Sequence, residues 1–403
     1  MTATSASFSV FLRSQSAQVF TQPWPVLPAA LVIAALNVFL FAFDKPWTAS
    51  DGLRNWGDAL FKLLGIIDQP DLLPPHLYSG SLLNVGLIVG GLIAALLGRE
   101  FAIRPAPPRE MVKGALGGAL MGVGAMLSFG CNIGGFFSAL SALSLSGIGM
   151  MAGLLIGGFV ATRVIIWERL RQIESGQLSF VSPCEAPPQA SAASPSFKLQ
   201  PRAALLVCVL VVLLGALYQT AGHGRLAVYL YFGVAFGIVF QRSRFCLVNA
   251  FREPFLSGRS EHTRAAALAL SLSMIGMAIL KASDLKDAGE WVFPAVWLGS
   301  LLGGTIFGFG MMLAEGCGAG TLWRVGEGHM KLCIALGFFA IGASLTRLLL
   351  VRSDWIRQLG SVQFLPDLLG WSGAIIAVAA LMLAWYLLAA WNEERRHVGV
   401  LKF

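Results

Sequence analysis

Three cysteines stand at matched places in this chain, each at the end of an apolar stretch laced with glycine. Residues 304–320 read GTIFGFGMMLAEGCGAG, and residues 118–135 read GALMGVGAMLSFGCNIGG. In both, glycines lie 13, 9, 7 and 1 residues before the cysteine, which is Cys317 in one and Cys131 in the other. A weaker copy, Gly233 to Cys246, keeps the glycines 13 and 9 residues before its cysteine. A thiol is a weak, polarisable donor. In a dehydrated path it stays neutral, because burial disfavours the charged form. It can then meet the soft end of an anion without adding negative charge. A thiolate would repel an anion, but would suit covalent sulfur transfer. For one Gly-Cys pair the plainer reading is a small buried residue beside packing glycines. Two matched pairs plus Cys246 favour a site.

The flanking residues carry the same argument. Gly130, Cys131 and Asn132 in one copy, and Glu315, Gly316, Cys317 and Gly318 in the other, read as helix breaks. Irregular backbone at membrane depth persists only inside protein or beside a water-filled cavity. Short helices that start after these breaks would present free N–H groups and the positive end of their dipoles, which favour an anion. Glu315 ends an apolar span, where an ionisable residue is a functional candidate by default. It can pair with Arg324, cap the short helix, or reach water. Arg244, with Arg242 beside it, precedes Cys246 in QRSRFC and can collect an anion at the mouth or anchor the helix end.

These residues need helices long enough to cross a bilayer. The chain has 403 residues, 56% apolar and only 12% charged, against roughly 25% charged in a soluble domain. Forty-six glycines suit close helix packing in lipid. Candidate spans lie near 26–43, 81–98, 112–128 and 148–167 in a first half. The second half has them near 203–221, 226–240, 264–281, 294–313, 331–351 and 371–391. The expectation is an all-α polytopic membrane protein of about nine transmembrane helices, with short re-entrant helices after Cys131 and Cys317. The segment around Trp56–Ile67 reads as an interfacial helix. A polar linker at 168–202, holding Cys184, separates the halves, residues 1–25 precede them, and a basic tail follows from 392. The Lys and Arg of the short loops place both termini in the cytoplasm. The two Gly-Cys copies then point opposite ways, an inverted repeat with a shared site near the midplane.

Several functions lack their residues. The net charge of +8 comes from short loops, with no basic stripe for nucleic acid. There is no CxxC pair, no GxxxxGK[ST], no GxSxG and no HExxH. No metal, cofactor or catalytic group is expected. Cys208 and Cys333 sit in featureless apolar helices and read as core. Arg163 and Arg347 read as span-end anchors.

In FGCNIGGFFSAL (129–140), QRSRFCLVNAFRE (241–253) and LAEGCGAGTLWRVGEGH (313–329) the chain resembles the YeeE/YedE family of sulfur-transport membrane proteins. The likeness runs from about residue 80 to residue 396, and the two-halved layout is similar to the longer YedE branch. The resemblance implies an inverted-repeat fold with loops entering from both faces. It also implies that Cys131, Cys246 and Cys317 pass thiosulfate along by S–H contacts. Glu315 departs from the family pattern, in which small residues are more usual before the Gly-Cys. A soluble sulfur carrier of the TusA type on the cytoplasmic side is the implied partner. The expected function is import of a small sulfur-containing anion, thiosulfate, by a bacterial inner-membrane transporter and not by an enzyme. The alternatives are a selenium-compound transporter, or a membrane sulfurtransferase that carries sulfur as a cysteine persulfide.

Overall fold

The structure is a computed structural model that describes residues 20–175 and 195–395. Cys184 lies outside the described residues. The chain there is helical, with only isolated bridges such as Arg104–His329 and no strands among the described residues. In order the helices are α1 (Val26–Phe43), α2 (Ser50–Leu63), α3 (Ser79–Leu97), α4 (Pro108–Leu127), α5 (Asn132–Ser141) and α6 (Ser146–Glu174). They continue as α7 (Pro195–Thr220), α8 (Gly224–Ser243), α9 (Leu247–Leu256), α10 (Glu261–Ala282) and α11 (Leu298–Ala314). The last three are α12 (Gly318–Gly326), α13 (Met330–Arg352) and α14 (Leu365–Arg395). The stretch read as a 168–202 linker is helical at both edges, since α6 continues to Glu174 and α7 starts at Pro195. Among the described residues nine helices are long and apolar enough to cross, and ten if the bent pair α4–α5 counts as one span.

The packing comes in twos, as an inverted repeat requires. If α1–α6 are matched to α8–α13, the largest contacts have counterparts: α3 on α8 answers α10 on α1, and α4 on α13 answers α11 on α6. Helices α4 and α11 cross each other on the pseudo-twofold. The glycine spacing explains how. A side-chain carbon at Gly118 or Gly122 would collide with the Ala335 or Phe339 carbonyl of α13. One at Gly304 or Gly308 would collide with the Met150 or Leu154 carbonyl of α6. Gly124 and Gly310 make the α4–α11 crossing itself, against Gly303 and Gly117. Glycine permits this backbone contact, which stabilises helix pairs where no hydrophobic effect acts between them. The repeat seen in the sequence is thus a packing device that fixes where the cysteines end up.

Four of the helices are too short to cross. Helix α2 was expected at the interface; it is instead packed into the bundle against α3 and α13. A carbon added at Gly52 would lie 2.3 Å from the Gly80 carbonyl, and one at Gly57 2.2 Å from that of Ala340. Its polar residues mimicked an interfacial helix, yet Asn55 and Asp58 are buried. Asn55 donates to the Leu73 carbonyl, and Asp58 accepts from Arg54 and Ser344. Helix α5 is bent 42° from α4 and is π-helical over Asn132–Ser138. Lys281 ties down its far end. This lysine is 2% exposed and donates to the carbonyls of Ala142, Ala288 and Glu290. With all three donors satisfied, it is a structural anchor of α5.

A candidate anion site at four converging helix ends

Each candidate cysteine occupies the same local position. Cys131, Cys246 and Cys317 have extended backbone and stand immediately before α5, α9 and α12. Two residues before each, the chain takes a left-handed conformation: Phe129 at φ 57°, Arg244 at φ 56° and Glu315 at φ 61°. None is glycine, although that region costs an ordinary residue roughly 1–2 kcal/mol. One left-handed residue ends a helix sharply, and one further residue delivers the chain to the cysteine. Gly130 and Gly316 are those linking residues in two of the copies. A carbon at Gly130 would lie 2.4 Å from the Gly135 nitrogen, and one at Gly316 2.8 Å from the Thr321 hydroxyl. In the third copy the linking residue is Phe245, which is buried.

The starts of the short helices meet. The Cys131 N–H donates to Ser50 Oγ at 3.2 Å, which joins the start of α5 to the start of α2. A carbon placed at Gly318 would sit 3.4 Å from Ala49 Cβ and 3.6 Å from Cys131 Sγ. One placed at Gly320 would sit 3.2 Å from Cys317 Sγ and 3.7 Å from Cys246 Sγ. The thiols of Cys246 and Cys317 thus flank the same glycine, Gly320. Cys317 Sγ also accepts the Gly320 N–H at 3.2 Å, a sulfur helix cap. All three cysteines are 2% exposed or less. Traced through the spans, α2 and α5 enter from one face and α9 and α12 from the other. Four dipoles point their positive ends at one buried place.

Asn132, Gly318 and Thr321 complete the centre. Asn132 is fully buried beside the Cys317 thiol, and neither polar atom of its side chain makes a hydrogen bond of normal geometry. The Thr321 hydroxyl is likewise buried without a partner. Such groups are costly to leave unmade, and they cluster where a polar guest could satisfy them.

The charged candidates lie farther out. Glu315 is half exposed at the end of α11, and its carboxylate is 3.5 Å from Lys331 Nζ. Arg324 meets Glu315 through the backbone, donating to its carbonyl at 2.9 Å. Of the roles open to this carboxylate, the geometry favours the one facing water. Arg244 is paired on both sides, with Glu100 at 2.6 Å and Glu327 at 2.7 Å. Its guanidinium and that of Arg324 both lie over the Trp323 ring. Arg163 lies over Phe159, as an anchor would. On the opposite face a recess of about 90 Å³ is lined by Asp51, Arg54, Phe129 and Arg347. Cys208 and Cys333 are only partly buried and take no part in the centre.

Sequence reasoning missed two features. The first is the segment Trp47–Ser50, where Ala49 holds the place that Cys246 holds in the other half. It lacks a cysteine, so nothing marked it. Ser138 and Asn37 secure it, by bonds to the Trp47 carbonyl and N–H. The second is Glu327, fully buried at the end of α12.

A family model described as "Sulphur transport" matches residues 3–160 and 242–401. The break between the two matched segments falls across the end of α6, α7 and most of α8. The chain is 26% identical to the "Probable transporter YedE" of Escherichia coli K12 over 319 residues, 76% of this chain and 77% of that one. With its namesake in Salmonella typhimurium LT2 the identity is 27% over 330 residues, 78% of this chain and 79% of that one. A stretch of 115 residues is 36% identical to the "Thiosulfate transporter TsuA" of Escherichia coli K12, covering 28% of this chain and 32% of that protein. By these matches, and by its paired halves of membrane-spanning helices, the chain is a multi-pass membrane protein and belongs to the sulphur transport family.

Proposed function

We propose that this protein imports thiosulfate, or a close sulfur-containing relative, across a bacterial inner membrane through the centre where Cys131, Cys246 and Cys317 meet. The observation that carries this reading is the repeated placement: three buried thiols, each immediately before a short helix, approaching from both faces. The dipoles supply attraction for an anion, and the thiols supply weak contacts that let it leave again. Conduction needs both at once. The name of the TsuA relative supports thiosulfate as the anion. A TusA-type carrier would collect it at the mouth near Arg244. The test is uptake of thiosulfate labelled on each sulfur in turn, in proteoliposomes. Both labels should arrive inside together. Recovery of one label on the protein and the other outside would favour a persulfide-carrying sulfurtransferase, for which the neighbouring Cys246 and Cys317 thiols are the motive. Uptake of a selenium analogue in preference would move the substrate class.

For orientation we propose that both termini face the cytoplasm. The basic loops 99–113 and 241–264 then lie inside. This requires an even number of crossings, and counting α4 as the tenth supplies one. Cys184 should accordingly resist an impermeant thiol reagent applied to intact cells. Strong labelling from outside would reverse the orientation.

A further inference from the structure

The centre is not symmetric, although the helices around it are. Under the pseudo-twofold, Cys131 matches Cys317, and their following residues are Asn132 and Gly318. One start therefore carries a carboxamide and the other carries no side chain at all. The remaining pair is Cys246 and Ala49. Besides the thiols, the side-chain donors near these helix starts are the Ser50 hydroxyl, engaged with Thr48, the Thr321 hydroxyl, and the Asn132 carboxamide, which alone offers two N–H donors. Asn132 is 0% exposed, and both its Nδ2 and its Oδ1 lack a hydrogen-bond partner. The position facing this start is Gly318, where a side-chain carbon would lie 3.6 Å from the Cys131 thiol. A buried carboxamide left unpaired loses its bonds to water for nothing in return, unless a passing group supplies them.

We propose that Asn132 is a specificity-determining residue whose carboxamide donates to an oxygen of the anion while the thiols meet its sulfur. The substrate class that fits is bipartite, with one soft sulfur end and one oxyanion end. An anion of sulfur alone would leave Asn132 unsatisfied, and a simple oxyanion would gain little from the thiols. A site built to hydrogen-bond a group discriminates strongly against analogues that lack it, because its own polar atoms are then left unpaired. The inference rests on the transport reading above and narrows it.

Labelled thiosulfate uptake in proteoliposomes tests it, with hydrosulfide as a competing anion that has no oxygen. Asn132→Leu should raise the KM for thiosulfate roughly tenfold, the change that about 1.4 kcal/mol produces, with a smaller fall in maximal rate. Inhibition by hydrosulfide should be no weaker in the variant than in the wild type. Asn132→Thr, which keeps one donor, should fall between the two. If Asn132→Leu fails to reach the membrane, Asn132→Thr and Asn132→Ala are judged by the same comparison. An unchanged KM, or hydrosulfide inhibition that weakens in step with it, overturns the role of Asn132 and leaves the transport reading standing. Wild-type protein that takes up no thiosulfate sinks the transport reading, and this inference with it.

Discussion

Alanine in place of Cys131, Cys246 or Cys317 should leave the protein in the membrane and lower thiosulfate uptake roughly ten- to hundred-fold. Each replacement removes one sulfur from a site that is 2% exposed or less. The packing loss is on the order of 1 kcal/mol, too little to unfold the bundle. Loss of a donor facing a dehydrated anion is larger, about 1.5–3 kcal/mol, because hydrogen bonds to charged groups are the strong ones. At ~1.4 kcal/mol per decade that gives the stated range. The three should differ in stability. Cys317 alone among them has its sulfur bonded to a backbone N–H, at Gly320, so Cys317→Ala also removes a helix cap. A lost cap typically costs about 1 kcal/mol. Serine at position 317 should restore the cap and part of the uptake if hydrogen bonding is the role of the thiol. It should restore none of the uptake if a persulfide is required. Cys208→Ala and Cys333→Ala are the controls, since neither residue is at the centre. Uptake that is alike in all five variants would end the proposal that the thiols form the path.

What could be read from the sequence divides along physical lines. Backbone contact between helices admits only glycine, so the crossings of α4, α11, α6 and α13 were written as a spacing pattern. The cysteines were legible because they end that pattern. The depth of α2 was not. Its Ser50, Asn55 and Asp58 satisfy buried partners, and a helix with such residues has the composition of one lying in the interface. Arg242 and Arg244, just before Cys246, read as collectors of an anion at the mouth or as anchors of the helix end. The structure divides that segment: the arginines bind Glu100 and Glu327, while the cysteine two residues on is buried at the centre. Pairings of this kind join residues 83 to 144 positions apart. No local pattern announces them.

Glu327→Gln should be the most destabilising single charge change in the described chain, and the effect should reach uptake through α12. The Glu327 carboxylate is fully buried. It accepts from Arg244 and from Gln241 Nε2, and Arg104 Nη1 lies 3.9 Å away. Arg242, itself 3% exposed, stands in the same cluster and is held by Glu100 at 3.6 Å. Removing the buried charge leaves this group of arginines with Glu100 alone. Breaking a buried pair by deleting one partner costs roughly 3–5 kcal/mol, whereas deleting both can be nearly neutral. Glu327 also stands at the end of the short helix whose start carries Cys317, only nine residues long. A helix that short has little stability of its own, so loosening one end loosens the cap at the other. The expected result is a large fall in the melting temperature of the purified protein together with reduced uptake. Glu315→Gln, at a half-exposed carboxylate, should change either by much less, since exposed pairs contribute about 0–1 kcal/mol. The decisive measurement is the double variant. Adding Arg244→Gln to Glu327→Gln should recover part of the lost stability, because the stranded guanidinium is removed with its carboxylate. Strictly additive losses in that cycle would show that the two residues do not act as a pair, and Glu327 would then stabilise α12 by some other contact.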